Sequence, residues 1–185
     1  LRALGIPVAV DRYIYSPDTF LAHSWNVFRD TTGHFIPTEL QRTGVTREWV
    51  NHRSKGKVYR VFSVPQEQYS IFGTLLKDVT TDYYPANEMR IAGIQSSAGE
   101  GLIGVFSMNG WIPIGRYRWH DGEALVENLE IEQIYQPLVH TVAGWKESGC
   151  PFIPQADGTV LSLVPDTTQW ESVRLVRKHP LTQYW

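Results

Sequence analysis

Residues 102–119 read LIGVFSMNGWIPIGRYRW, with Asn109-Gly110 between two apolar runs, Leu102 to Met108 and Trp111 to Trp119. A two-residue hairpin turn asks both central residues for φ > 0, and Asn-Gly supplies this at the least steric cost. The flanks are rich in aromatic and β-branched residues, which suit a half-buried pleated surface. The stretch therefore predicts an antiparallel hairpin, and a largely β fold grows outward from it.

A second hairpin is expected around Ala156-Asp157-Gly158-Thr159, pairing Phe152-Ile153 with Val160 to Val164. Upstream, Val58 to Val64 reads as a strand closed by Pro65, and Val8 to Tyr15 as an alternating strand ending at the turn cluster Ser16-Pro17-Asp18. Phe20 to Phe28 fits a strand or an irregular segment, and Ser172 to Val176 another strand. Helix is expected in two places. Pro37 opens a short helical stretch, Thr38 to Gln41, stopping at Gly44, with a further turn over Thr46 to Val50. Asp121 reads as an N-cap ahead of Ala124, Leu125, Leu129, Ile131, Ile134, Tyr135 and Leu138, which recur at broadly helical spacing until Pro137 ends or kinks the run. The expectation is an α+β fold: a β-rich compact domain with antiparallel hairpins and one or two helices, spanning residues 1–185 as a single domain.

Composition narrows the function classes. With 7 Trp, 9 Tyr and 7 Phe among 185 residues, the chain carries far more aromatic mass than a disordered polymer. No apolar stretch reaches the roughly 18–20 residues of a membrane-spanning helix, so no membrane span and a soluble protein are expected. Seventeen basic and nineteen acidic residues give a net charge of -2, which argues against a nucleic-acid partner held by phosphate neutralisation. Cys150 is the sole cysteine and has no intrachain partner for a disulfide. No Asn-x-Ser/Thr glycosylation site occurs, which disfavours a glycosylated secreted protein. The first residues, Leu1-Arg2-Ala3-Leu4-Gly5, show neither an initiator Met nor a signal-peptide pattern. They lead us to expect a domain released from a longer protein.

The most informative constellation lies near the N-terminus, where Asp11-Arg12-Tyr13 ends an apolar strand and six residues separate it from Phe20-Leu21-Ala22. Val58-Tyr59-Arg60-Val61 and Gly93-Ile94-Gln95 follow downstream. In these motifs the chain resembles the tuberculosis necrotizing toxin family of NAD glycohydrolases over roughly residues 6–112. That family runs Asp-Arg-aromatic, six residues, Phe-Leu-Ser/Ala, then a Tyr-x-Val strand and a Gly-x-Gln. Ile14 and Asp18 stand where the family usually has glycines, its Pro-Trp-Phe segment has no counterpart, and Asp78 to Arg90 reads as an insertion. The resemblance implies a toxin or effector domain, secreted or delivered, that hydrolyses NAD as substrate with no resident cofactor, and a possible immunity or host protein as partner. It covers a part within residues 1–118 and leaves 119–185 without a role.

Under that resemblance Arg12 and Gln95 are the expected catalytic pair, with Asp11, Tyr13 and Phe20 binding substrate. The residue types suit the chemistry. A guanidinium fork bonds two phosphate oxygens and keeps its charge, so Arg12 fits the pyrophosphate, with Asp11 orienting it from behind. Gln95 carries a donor and an acceptor for the ribose or the attacking water. Tyr13 or Phe20 would stack on a flat ring. The same residues also fit an ordinary Asp11–Arg12 surface pair and half-buried strand aromatics.

Four other arrangements bear on function. Arg60, Ser96-Ser97 and Glu130-Ile131-Glu132 stand in the order used by ADP-ribosyltransferases, though a solvated helix face also accounts for the glutamates. Glu147-Ser148-Gly149-Cys150 is similar to the Ser-Gly-Cys of toxin deamidases, but only His179 follows as a base. Six scattered histidines show no metal-ligand spacing, so no metal site is expected. A non-enzymatic binding module would present Trp111, Trp119, Trp145, Trp170 and Trp185 to a sugar or protein.

Overall fold

In the computed structural model, which describes residues 2–18, 21–38, 53–66, 71–94 and 100–172, the expected central hairpin is the longest strand pair among the described residues. It joins strands β7 (Glu100–Ser107) and β8 (Gly110–His120), but its turn is shifted by one residue: Ser107 pairs with Gly110, so Met108 and Asn109 form the loop, and of Asn109-Gly110 only Gly110 takes positive φ, 102°. Its register slips once: Ile103 faces Gly115 while Gly104 faces Pro113, so Ile114 is the extra residue of a β-bulge. Pro113, which donates no hydrogen bond, is tolerated in the strand beside that bulge.

Around this hairpin a six-stranded sheet assembles in the order β11-β10-β7-β8-β9-β6. It comprises β6 (Glu88–Ile91), β9 (Glu123–Glu127), β10 (Gln136–Thr141) and β11 (Gly144–Glu147) in addition to the central pair. A five-stranded sheet, order β3-β2-β1-β4-β5, is built from β1 (Val8–Tyr13), β2 (His23–Arg29), β3 (Phe35–Thr38), β4 (Tyr59–Val61) and β5 (Leu76–Asp78). A short pair, β12 (Phe152–Pro154) and β13 (Val160–Ser162), forms the second predicted hairpin. Every pairing is antiparallel.

The fold is all-β, which corrects the α+β expectation. Among the described residues the only helical turns are 3-10, at Arg2–Leu4 and Thr80–Asp82. The helix expected after Asp121 is instead β9, a loop and β10. Asp121 takes φ 52° and Gly122 φ 84°, so Asp121-Gly122 is a hairpin turn joining β8 to β9 rather than a cap. Buried Ala124 and Val126 alternate with more exposed neighbours, a period of two. Positive φ at Asn128 and Glu132 then breaks any helical continuation. The short helix expected over Thr38 to Gln41 does not open at Pro37: Pro37 and Thr38 pair with Val27 and Asn26 as strand residues of the smaller sheet. The rest of that stretch, the turn expected over Thr46 to Val50 and nearly all of the strand expected over Ser172 to Val176 lie outside the described residues.

Two apolar cores result. One joins Ile103, Val105, Ile114, Tyr117, Leu129 and Phe152 of the larger sheet and its neighbours. The other gathers Ala9, Tyr13, Trp25, Val27, Val58 and Val79 on one face of the smaller sheet. The sheets are stitched through residues 55–59. Glu130 Oε2 accepts from the Lys55 and Gly56 amides at 2.5 and 2.8 Å, and the Glu130 amide donates to Gly56 O at 3.0 Å. Lys57 Nζ reaches Asp78 Oδ2 at 2.6 Å and the carbonyls of Glu127 and Asn128 at 2.8 and 3.0 Å. Its path crosses Gly115, where an added Cβ would stand 2.5 Å from Lys57 Cδ. Tyr59 OH donates to Ile114 O, on the bulge residue, at 2.5 Å.

Candidate functional site

Strand alternation sends Asp11 and Arg12 to opposite faces of β1, and this decides what each does. Asp11 faces the core of the smaller sheet and is fully buried. Arg60, its cross-strand neighbour on β4, donates through Nε to Asp11 Oδ1 and through Nη2 to Asp11 Oδ2, both at 2.8 Å. Tyr83 OH donates to Asp11 Oδ2 at 2.6 Å and accepts from Trp25 Nε1 at 2.9 Å. Asp82 Oδ2 closes the group on Arg60 Nη2 at 2.9 Å, and the Phe35 ring centroid lies 3.7 Å from the guanidinium carbon. Burial opposes the charge on Arg60, but the hydrogen bonds and charges of Asp11 and Asp82 outweigh it and hold the guanidinium above its ordinary pKa. The expected support of Arg12 by Asp11 is thus replaced by a closed Asp11–Arg60–Asp82 cluster.

Arg12 lies on the other face, opposite Ser24 on β2 and Tyr59 on β4. The register continues from Tyr59 to Asp78 on β5, so Ser24, Arg12, Tyr59 and Asp78 form one polar row across four strands. Tyr59 is buried in this row, edge-on to Phe72 at 5.5 Å. Burial chiefly holds its hydroxyl well above the ordinary phenol range; the Asp78 charge adds to this and the Arg116 charge opposes it. Arg12 Nε is buried with no hydrogen-bond partner among the described residues. The contrast with the other inward cations is sharp: Lys57 has three acceptors and Arg60 two carboxylates. Among the described residues, the Arg12 Nε is thus the buried guanidinium donor of this sheet left without an acceptor.

The remaining expected site residues are dispersed. Tyr13 is fully buried among His23 and Trp25, with ring centroids at 6.1 and 6.0 Å, which makes it a core residue rather than an accessible platform. Phe20 and Gln95 lie outside the described residues, as do Ser96 and Ser97. Glu130 is occupied by the backbone of residues 55–56, and Glu132 sits in a turn at φ 61°. Among the described residues no three His, Cys, Asp or Glu side chains form a group able to hold a metal. Nor is any helix among them long and apolar enough to cross a membrane. Reading along the sequence missed Arg60 and Tyr83 as partners of Asp11, and Asp82 as the second carboxylate on Arg60. The period of two was the available signal, since it forbids Asp11 from standing behind Arg12.

Comparisons with protein-family models, curated proteins and solved structures return no match to this chain.

Proposed function

We propose that the chain hydrolyses NAD at the bond between nicotinamide and ribose, as a delivered toxin or effector domain. Water adds to the anomeric carbon, nicotinamide leaves as a neutral base, and ADP-ribose and a proton are the other products. The observation that supports this reading is the Arg12 guanidinium, whose buried Nε has no acceptor among the described residues. A buried donor without a partner is costly, and an anionic ligand supplies the missing acceptor. The pyrophosphate of a dinucleotide offers oxygens spaced for a guanidinium fork.

The route to catalysis is remote binding. Breaking this bond passes through an oxocarbenium-like state. Grip on the pyrophosphate holds the anomeric carbon in a reactive geometry, so binding energy far from the bond lowers the barrier at it. In this scheme Arg12 grips the phosphates and Gln95 positions the ribose or the water. Asp11 and Tyr13 act from the interior, fixing the strand that carries Arg12. An immunity or host protein remains the proposed macromolecular partner.

Incubation with NAD tests the reading. Free nicotinamide with ADP-ribose is the expected result. Label transferred to a protein would replace hydrolysis by ADP-ribosyl transfer, and the absence of both products would leave a binding module.

A further inference from the structure

The β7–β8 hairpin ends in an apolar tip that the NAD reading does not use. From Gly101 to Gly115 the chain runs fifteen residues without a charged side chain, although 19% of the whole sequence is charged. At the turn, Met108 is 89% exposed and Phe106 52% exposed. Phe106 meets half-buried Trp111 edge-to-face across the strands at 5.5 Å, so two aromatic rings stand at the base of an exposed methionine. Large exposed apolar groups clustered in this way mark a contact surface.

We propose that this tip seats in the interfacial zone of a lipid bilayer. Three observations favour lipid over a protein groove. First, the tip runs beyond its flanking strands, since β10 pairs with β7 only as far as Gly104 and β9 with β8 only over Arg118 to His120; a deformable medium accommodates such an end without a preformed cavity. Second, two backbone groups of the turn are paired within it: Ser107 Oγ donates to Gly110 O at 2.7 Å and accepts from the Asn109 amide at 3.1 Å. Backbone groups satisfied internally are a requirement for entering a medium poor in water. Third, the Trp111 indole at the base with Met108 ahead of it matches the layering of the interface, where the amphipathic rings of tryptophan lie at headgroup depth. Three side chains give a weak, reversible attachment of the kind a single lipid chain provides. Because the tip carries no charge, attachment depends little on salt or on anionic lipid. No part of this rests on Arg12 or on NAD hydrolysis.

Flotation of the full chain with phosphatidylcholine vesicles tests the proposal. The protein is expected to float with the vesicles equally at low and high salt, and brominated acyl chains are expected to quench tryptophan emission. Met108→Asp should lower the bound fraction at least tenfold with an unchanged circular dichroism spectrum, and Phe106→Ser should act in the same direction. Equal flotation of wild type and Met108→Asp overturns the proposal, as does wild type that fails to float. Self-association through the tip that Met108→Asp abolishes, without flotation of wild type, would assign the surface to a second copy of the chain instead.

Discussion

Arg60 and Asp11, 49 residues apart in sequence, meet through two parallel hydrogen bonds of 2.8 Å inside the smaller sheet, with Asp11 fully buried. Their geometry is the planar fork-to-carboxylate match that lysine cannot reproduce. Arg60→Met should therefore lower stability by about 3–5 kcal/mol, because it strands the Asp11 carboxylate with Tyr83 as its remaining described hydrogen-bond partner. Denaturant unfolding reads this directly. Adding Asp11→Asn to Arg60→Met should recover part of the loss, since the uncompensated charge is then gone.

Arg12 calls for the opposite expectation. Its Nε is buried without an acceptor among the described residues, so Arg12→Ala removes an unsatisfied donor along with some packing. Stability should change by less than about 1 kcal/mol, while kcat/KM for NAD should fall by about 100-fold or more. Arg12→Lys should restore charge but little rate, because the fork is lost. Unchanged turnover in Arg12→Ala would remove the phosphate-gripping assignment. Gln95→Ala is expected to lower kcat with KM nearly constant.

Alkaline unfolding should be steep. Burial is the main force holding Tyr59, Tyr83, Tyr84 and Tyr135 above the ordinary phenol range in the folded chain. Below pH 10 these hydroxyls are protonated in both states and contribute no slope. Above it the unfolded chain releases protons that the folded chain retains, so stability falls as pH rises. Fully buried Tyr59 and Tyr135 each contribute up to about 1.4 kcal/mol per pH unit, and partly exposed Tyr83 and Tyr84 less. Lys55 works the other way: burial lowers its pKa despite the Glu130 and Asp18 charges, so its contribution rises with pH toward 10.5. The tyrosines outnumber it, and the net expectation is loss. The tyrosinate absorbance of these four residues, read as the difference from their Phe variants, should rise together with loss of β-sheet circular dichroism, not before it.

What the sequence made legible follows the range of each interaction. Asn109-Gly110 and the turn around Asp157-Gly158 are local signals, and both hairpins form there, the first with its turn one residue earlier. Asp121-Gly122 is equally local, yet aspartate serves both helix N-caps and hairpin turns, and a scatter of apolar residues after it fits either period. The pairing of Ala124 and Val126 with β6 and β8 decides the matter, and that information is tertiary. Asp11 shows the same limit at the site. Alternation alone separates it from Arg12, but its true partners, Arg60 and Tyr83, lie 49 or more residues away and no local pattern names them.

Gly101 sits opposite Tyr117 on the central hairpin, and the fully buried tyrosine ring folds over it. A Cβ at Gly101 would fall 2.1 Å from Tyr117 Cζ. Gly101→Ala therefore forces the ring out of a filled core and should cost about 1–3 kcal/mol, even though alanine suits a strand better than glycine does. Thermal unfolding of this variant is the measurement. A gain in stability would show that the ring moves freely.

Glu130 and Glu132 separate hydrolysis from the transferase reading. A transferase would use both carboxylates at one ligand, whereas the Glu130 carboxylate already accepts two backbone amides and the Glu132 amide donates to Pro154 O at 2.8 Å in a tight turn. Glu130→Ala should leave the Lys55 and Gly56 amides unpaired and lower stability by about 3 kcal/mol, with faster hydrogen exchange at those two positions. Glu132 is exposed, so Glu132→Gln should leave both stability and NAD turnover unchanged. If Glu132→Gln abolished turnover in a protein of unaltered stability, the paired-glutamate chemistry would hold. Residues 55–56 would then have to release Glu130 before the reaction.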